Sequence, residues 1–500
     1  MVKQVLLQLT IMNLPYLSSL FLGTLLFLSS FLISAKLLND QPSATSSPAR
    51  MLVLTDIEAD PDDAQTLIRL LLYVNQIDLE GLVATTSVHQ KTMVAPETIH
   101  KILTAYEKVH HNLLQHEAGF PSADSLRKLV KSGLPIYGMA GVGQDKDSEG
   151  SEHLIKVIER QDERPLWVTV WGGANTLAQA LYKLKATKTA AELAELISKL
   201  RVYTISDQDD SGIWIRKNFP ELFYIVSPGG YGAATWMGIN KYIEGIDNST
   251  ISNQWIADNI QQAHGPLGAD YPDVAYGVEG DTPTWLNLIP NGLNTPEKPN
   301  WGGWGGRYEF YIPQLANMDV NGFTGGVAIE AETRAIWTNA IDKYTPPMAG
   351  EYGRSLKPGK KSFTGYRTTL WRWRDDFQND FAARLDWTVK SYDEANHPPV
   401  PVLNHPEKFT VKSGSHFTLD ARNSFDPDGD SLRYWWFNYP EVGSMKTTEV
   451  KIASAENMDR VAVIAPDVKR TEILHFIVKI SDRGSPSLTR YKRVVVTVTP

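Results

Sequence analysis

The chain has 500 residues, a formal net charge of −8 and no cysteine. That length predicts two or three domains, and the acidic balance argues against a nucleic-acid backbone as main partner. The lack of cysteine excludes disulfides, thiolate nucleophiles and Cys-ligated zinc.

The N-terminus reads as a targeting segment. Lys3 is followed by an apolar run from Leu14 to Ala35 that ends in the small residues Ser34 and Ala35. The run suits a cleaved signal peptide (1–35) and is nearly long enough for an uncleaved anchor. Either predicts export to a periplasm, the exterior or the cell surface. Residues 36–50, rich in Ser and Pro, read as a linker.

Met51 to Leu54 is apolar enough for a buried strand. Five carboxylates then fall within eight residues: Asp56, Glu58, Asp60, Asp62 and Asp63. A helical pattern follows, with Leu67, Leu70 and Leu71 at spacings of three and four. The helix dipole and Pro61 account for acids in a first helical turn. They do not account for Asp56 and Glu58, which precede it. A hard cation such as calcium, with six to eight oxygen ligands, would relieve the repulsion among them. A solvated acidic turn is the plainer alternative.

Ile77 to Ala84 reads as a second buried strand, running into Ser87, His89 and Gln90, and Pro96 to Val109 as a helix. Strand, helix, strand, helix predicts a parallel sheet with right-handed crossovers. Gly133 to Gly138 suggests the next strand end, and a polar loop at Gln144–Ser151 precedes a helix from about Glu152. Leu166 to Trp171 is a strand, then a Gly172-Gly173 turn. Leu200 to Ile205 is another strand, and it ends in Ser206-Asp207-Gln208-Asp209-Asp210. Asp56, Gln90, Trp171 and Asp207 all follow apolar strands. In a doubly wound sheet such ends share one edge, where ligands bind.

Beyond Pro228 the chain is rich in Gly, Pro and Trp, with Glu279-Gly-Asp281-Thr-Pro and Trp301-Gly-Gly-Trp304-Gly-Gly-Arg307. Glycine is unfavourable inside helices, so the second motif reads as a loop that lays two indoles on a surface or packs itself down. Glu330 to Tyr344 is expected to be a helix. Tyr366 to Trp387 is expected to be an amphipathic one whose Arg and Asp residues pair with each other. After Ala395-Asn-His-Pro-Pro399 come short alternating runs at roughly ten-residue spacing, which predict an immunoglobulin-like β-sandwich. Asp426-Pro-Asp428-Gly-Asp430 lacks the full pattern of a calcium loop and reads as a tight turn. The domains expected are therefore 51–394, α/β, and 395–500, all-β.

Several of these stretches together resemble a known family. Asp-Pro-Asp-Asp, Ile-Ser-Asp-Gln-Asp-Asp-Ser-Gly, Glu-Gly-Asp-Thr-Pro, Trp-Gly-Gly-Trp-Gly-Gly-Arg-Tyr-Glu and Arg-Trp-Arg-Asp-Asp-Phe are similar to the DUF1593 family. That family is nucleoside hydrolase-like, carries an appended β-sandwich and is linked to cellulose-binding proteins. The resemblance implies a Rossmann-like, mostly parallel sheet with flanking helices. It also implies a calcium ion held by Asp63, the carbonyl near Trp171 and the late acid Asp281, with Asp62 on the sugar. The base, itself a metal ligand, falls on Glu58 without gaps or on Asp56 with a two-residue insertion. Where the family has glycine, this chain has Asp60. Gln90 and Asp207, at the same strand edge, complete the substrate-side candidates. The implied chemistry is hydrolysis of an N-glycosidic or related bond in a small glycoside. A carbohydrate-binding protein without turnover, with polysaccharide as partner, and a scaffold attached through its β-sandwich are the competing readings.

Overall fold

The computed structural model describes residues 47–500 except 233, 319–321, 350–355, 358, 447–449 and 454. The expected targeting segment and most of the linker lie outside the described residues. Among those described, no helix is long and apolar enough to cross a membrane.

Strand β1 (Ala49–Thr55) is buried almost throughout, as a strand covered on both faces must be. It lies between β2 (Ile77–Ala84) and β4 (Leu166–Val170), parallel to both. β3 (Val130–Ser132) flanks β2. β5 (Leu200–Thr204), β6 (Phe223–Val226) and β8 (Ile336–Asn339) extend the other side in parallel, and β7 (Tyr308–Tyr311) closes the edge antiparallel to β8. Helices α1 (Asp62–Leu71), α2 (Pro96–His116), α3 (Glu149–Ile158), α4 (Asn175–Thr187), α5 (Ala190–Ser198) and α6 (Ser211–Asn218) occupy the crossovers. The strand order reverses at β1 and β4, so the loops after them meet at the crevice where this sheet type binds ligands.

The all-β part comprises a four-stranded sheet and a three-stranded sheet. The first is ordered β9 (Lys408–Lys412), β14 (Thr489–Thr499), β13 (Glu472–Ser481), β11 (Arg433–Asn438). The second is ordered β10 (His416–Asp420), β12 (Arg460–Ile464) and Ile452–Ala453. Ala49 to Pro500 form one compact unit. Helix α7 (Arg374–Asp386) joins the two parts. Its Asp376 accepts from Lys479 and Tyr491 of the sandwich, and its Asp380 accepts from Tyr73 at 2.7 Å and from Arg490.

Local expectations differ from the structure in three places, and a fourth, left open, is decided. Residues 330–344 form no helix: Ile336–Asn339 and Asp342–Tyr344 are strands. Burial there alternates, with Ile336, Thr338, Ala340 and Asp342 inward, a period of two. The stretch 366–387 splits into Thr368–Trp371 and α7, and α7 is buried nearly all round. Its Asp376 and Asp380 accordingly pair across to the sandwich, and within the helix Arg384 pairs with Asp380. α3 begins at Glu149, because Ser148 caps it and Ser151 returns the bond. Trp304 is fully buried, with its indole N–H on the Tyr491 hydroxyl at 3.3 Å, so the Trp-Gly-Gly loop packs against the sandwich and does not display that indole.

Candidate functional site

The loop after β1 turns back on itself: Ala59 N–H donates to the Asp56 carbonyl at 2.9 Å, and Glu58 takes a positive φ of 84°. This reversal sends the Asp56 side chain inward and that of Glu58 outward. Asp56 is 2% exposed, whereas Glu58 lies on the surface and accepts the Thr98 hydroxyl. Asp60 accepts the Asp62 N–H at 3.0 Å and so fixes the start of α1. That start places Asp62 and Asp63 beneath the loop. Asp63 accepts the Thr55 hydroxyl, and Asp62 accepts the Trp236 indole N–H.

Carboxylate oxygens of Asp60, Asp62 and Asp63 lie within 4.8 Å of one another. Asp281, some 200 residues later, joins them: it is 1% exposed, and its Oδ1 is buried without a hydrogen-bond partner. Burial pushes Asp56, Asp62, Asp63 and Asp281 above the usual carboxylate range. Mutual repulsion adds to it: Asp56 and Asp62 act on Asp63, and Asp62, Asp63 and Asp56 act on Asp281. His89, beside Asp56, is the one basic group among the largest influences on them. Buried like charges of this kind require a proton or a cation among them. A set of hard oxygen donors with one orphaned oxygen fits a hard divalent ion.

Two glycines make the convergence possible. A Cβ on Gly172, in the loop after β4, would lie 2.6 Å from Asp56 Oδ1. One on Gly280 would overlap the Trp236 indole and the Asp62 carboxylate. The close approach is thus of backbone to carboxylate.

The remaining sequence candidates are placed differently. The Trp171 carbonyl accepts the Gln208 side-chain amide, and the Trp171 indole donates to Thr284 at 3.0 Å. Gln90 donates to the carbonyls of Asp56 and Ile57 at 3.3 and 3.2 Å and so braces the loop. Asp207 is held at 2.8 Å by both terminal nitrogens of Arg216, which also contacts Glu332. Its neighbour Asp209 is the buried one, lifted by burial to about 6 and accepting from Ser211 and Asn175.

Sequence reasoning missed an aromatic group at the same place. His89 bonds the Tyr231 hydroxyl at 2.8 Å, Phe323 stacks on both rings, and Trp236 meets Tyr231 edge-on at 5.7 Å. Asp56, Asp281 and Asp62 add to burial in holding the Tyr231 phenol protonated, so this group adjoins the acids. Phe323 is 70% exposed. His89 follows the second strand, but Tyr231, Trp236 and Phe323 fall in long loops without periodicity, and no local signal groups them with it.

Residues 50–308 match a family described as cellulose-binding Sde182, nucleoside hydrolase-like domain. Residues 416–498 match the C-terminal domain of cellulose-binding protein Sde0182. A solved nucleoside hydrolase-related hypothetical protein from Saccharophagus degradans, associated with carbohydrate metabolism, is 35% identical. That likeness covers 90% of this chain and 100% of that one at a TM-score of 0.73. The effector protein XOO4466 (9% identity, TM-score 0.32) covers 62% of this chain and 92% of its own. The type III effector XopQ, complexed with adenosine diphosphate ribose (12%, TM-score 0.27), covers 53% and 73%. Both are too distant to inform function. No curated protein matches.

Proposed function

This chain belongs to the cellulose-binding Sde182 family, whose main domain is nucleoside hydrolase-like, and we propose that it is an exported, cation-dependent hydrolase of an N-glycosidic or related glycosidic bond. The observation that carries the reading is the buried convergence of Asp56, Asp62, Asp63 and Asp281 with an oxygen of Asp281 left unpartnered. Asp63, Asp281, Asp56 and the Trp171 carbonyl would hold the ion, calcium by its oxygen donors. Bound there, it would bind sugar hydroxyls and lower the pKa of a water.

The chain's own residues then divide the work. Asp56, inward, takes the proton of the attacking water; Glu58, outward, is too far round the turn. Asp62 orients a sugar hydroxyl. The remaining carboxylate charge favours the positive character that develops on the sugar ring as the bond to the leaving group breaks. His89 and Tyr231, which adjoin the acids, would give a departing group its proton, and Phe323 would offer it a ring face. The leaving group departs with that proton, and the water oxygen ends on the sugar carbon.

A second reading is binding without turnover, with cellulose or another glycan as partner. It is favoured by the Gln208 amide, which already occupies the Trp171 carbonyl. Purified protein screened against nucleosides and aryl glycosides, with calcium and with chelator, tests the first. Calcium-dependent hydrolysis abolished by Asp63→Ala is expected. Stoichiometric calcium and tight glycan binding with no turnover across the panel would instead establish the second.

A further inference from the structure

Three elements meet away from the acidic site: the C-terminal end of α2, the connector after α7, and a turn of the sandwich. His116 ends α2, His397 lies in the connector and Asp428 lies in the turn; both histidines are buried. His397 Nδ1 is 2.9 Å from Asp428 Oδ1, and the His397 backbone N–H donates to the other oxygen at 2.6 Å. His397 Nε2 is 3.0 Å from His116 Nδ1, and His116 Nε2 is 3.0 Å from the Lys390 carbonyl.

Counting hydrogens decides the state of the pair. The contact to the carboxylate requires a hydrogen on His397 Nδ1, the contact to the carbonyl one on His116 Nε2, and the contact between rings one more. Three hydrogens on four ring nitrogens satisfy every contact and give the pair a single positive charge. With two, one contact sets lone pair against lone pair. With four, two N–H groups face each other at 3.0 Å. The surroundings suit one charge. Asp428 opposes it, and the rings stack on Tyr392 (3.9 Å to His397) and Trp387 (5.2 Å to each).

We propose that His116, His397 and Asp428 form an acid-released clasp that joins α2 to the β-sandwich, closed by one hydrogen shared between the imidazoles and opened by a second proton. Around it stand Glu117, paired with Arg384, Lys390, paired with Asp386, and the acids Asp393 and Asp426 of the flanking turns. Burial, and then the neighbouring His397, hold His116 below the usual histidine range. Below about pH 6.5 the unfolded chain takes a proton on each histidine and the closed clasp refuses the second, so the clasp's contribution to stability is lost as pH falls below that value.

The test uses the full chain. Proteolysis of the connector at about pH 7.5 and about pH 5 should accelerate roughly tenfold at the lower pH, with far-UV dichroism unchanged. His116→Gln should remove most of that acceleration, and Asp428→Asn should move its onset to higher pH. Hydrogen exchange at the His116 ring carbon, followed by mass spectrometry in the unmodified protein, should titrate below the ordinary histidine value. Equal cleavage at both pH values, or a His116 midpoint at or above the ordinary value, overturns the clasp whether or not the variants fold.

Discussion

Asp63→Asn separates a cation site from an acidic cluster that merely tolerates itself. Asp63 shares the cluster with Asp60 and Asp62, their oxygens within 4.8 Å of one another. Two unit charges at that spacing repel by about 3 kcal/mol at an effective dielectric constant near 20. With both neighbours ionised, an ionised Asp63 therefore carries roughly 7 kcal/mol of repulsion. Its raised pKa means that the cation-free protein escapes much of this by holding protons. The substitution should thus stabilise the cation-free protein by about 1–3 kcal/mol at neutral pH, a rise of a few degrees in Tm. Asparagine keeps the oxygen that accepts the Thr55 hydroxyl, so packing is preserved. With calcium at about 100 times Kd, the natural protein should gain about 2.7 kcal/mol, and the variant should gain little. Calorimetry in chelator and in calcium should then show the order of melting reverse. A variant that melts lower than the natural protein in chelator, or an equal calcium shift in both, would refute the reasoning.

Two further outcomes concern groups beside the site. Arg216→Met strands Asp207 and the buried Glu332, and should cost about 3–5 kcal/mol in urea unfolding while leaving the calcium response intact. Asp209, lifted by burial from 3.8 to about 6, contributes stability that is complete below pH 3.8 and is lost as pH rises through 6. That gap corresponds to about 3 kcal/mol, and Asp209→Asn should flatten the stability profile between those two pH values.

The sheet and the first half of the candidate site were legible because their signals are local. Apolar runs at Met51, Ile77, Leu166 and Leu200 state a buried parallel strand, and each is followed at once by its polar loop. Asp281 was legible only through family likeness, since nothing near it marks a strand end. What failed depended on tertiary surroundings. The Glu330–Tyr344 stretch carries helix formers at one end and a strand alternation at the other, and pairing with β6 and β7 settled it as strand. The charges of α7 sit at helix-pairing intervals, yet a second layer of structure lies within reach and takes them. Tyr231, Trp236 and Phe323 are gathered by long loops whose course no periodicity encodes.

Helix α7 carries a consequence for how such a protein can be divided. Its Asp376 and Asp380 find their cations on β13 and β14, and Trp304 and Asp342 of the α/β part lean on Tyr491 and Tyr439. Cutting the chain at the connector would strip partners from several interior charges at once. The sandwich is therefore no detachable cassette: the α/β half is expected to need it in order to stay soluble, and shuffling it for another module would mean rebuilding the joint.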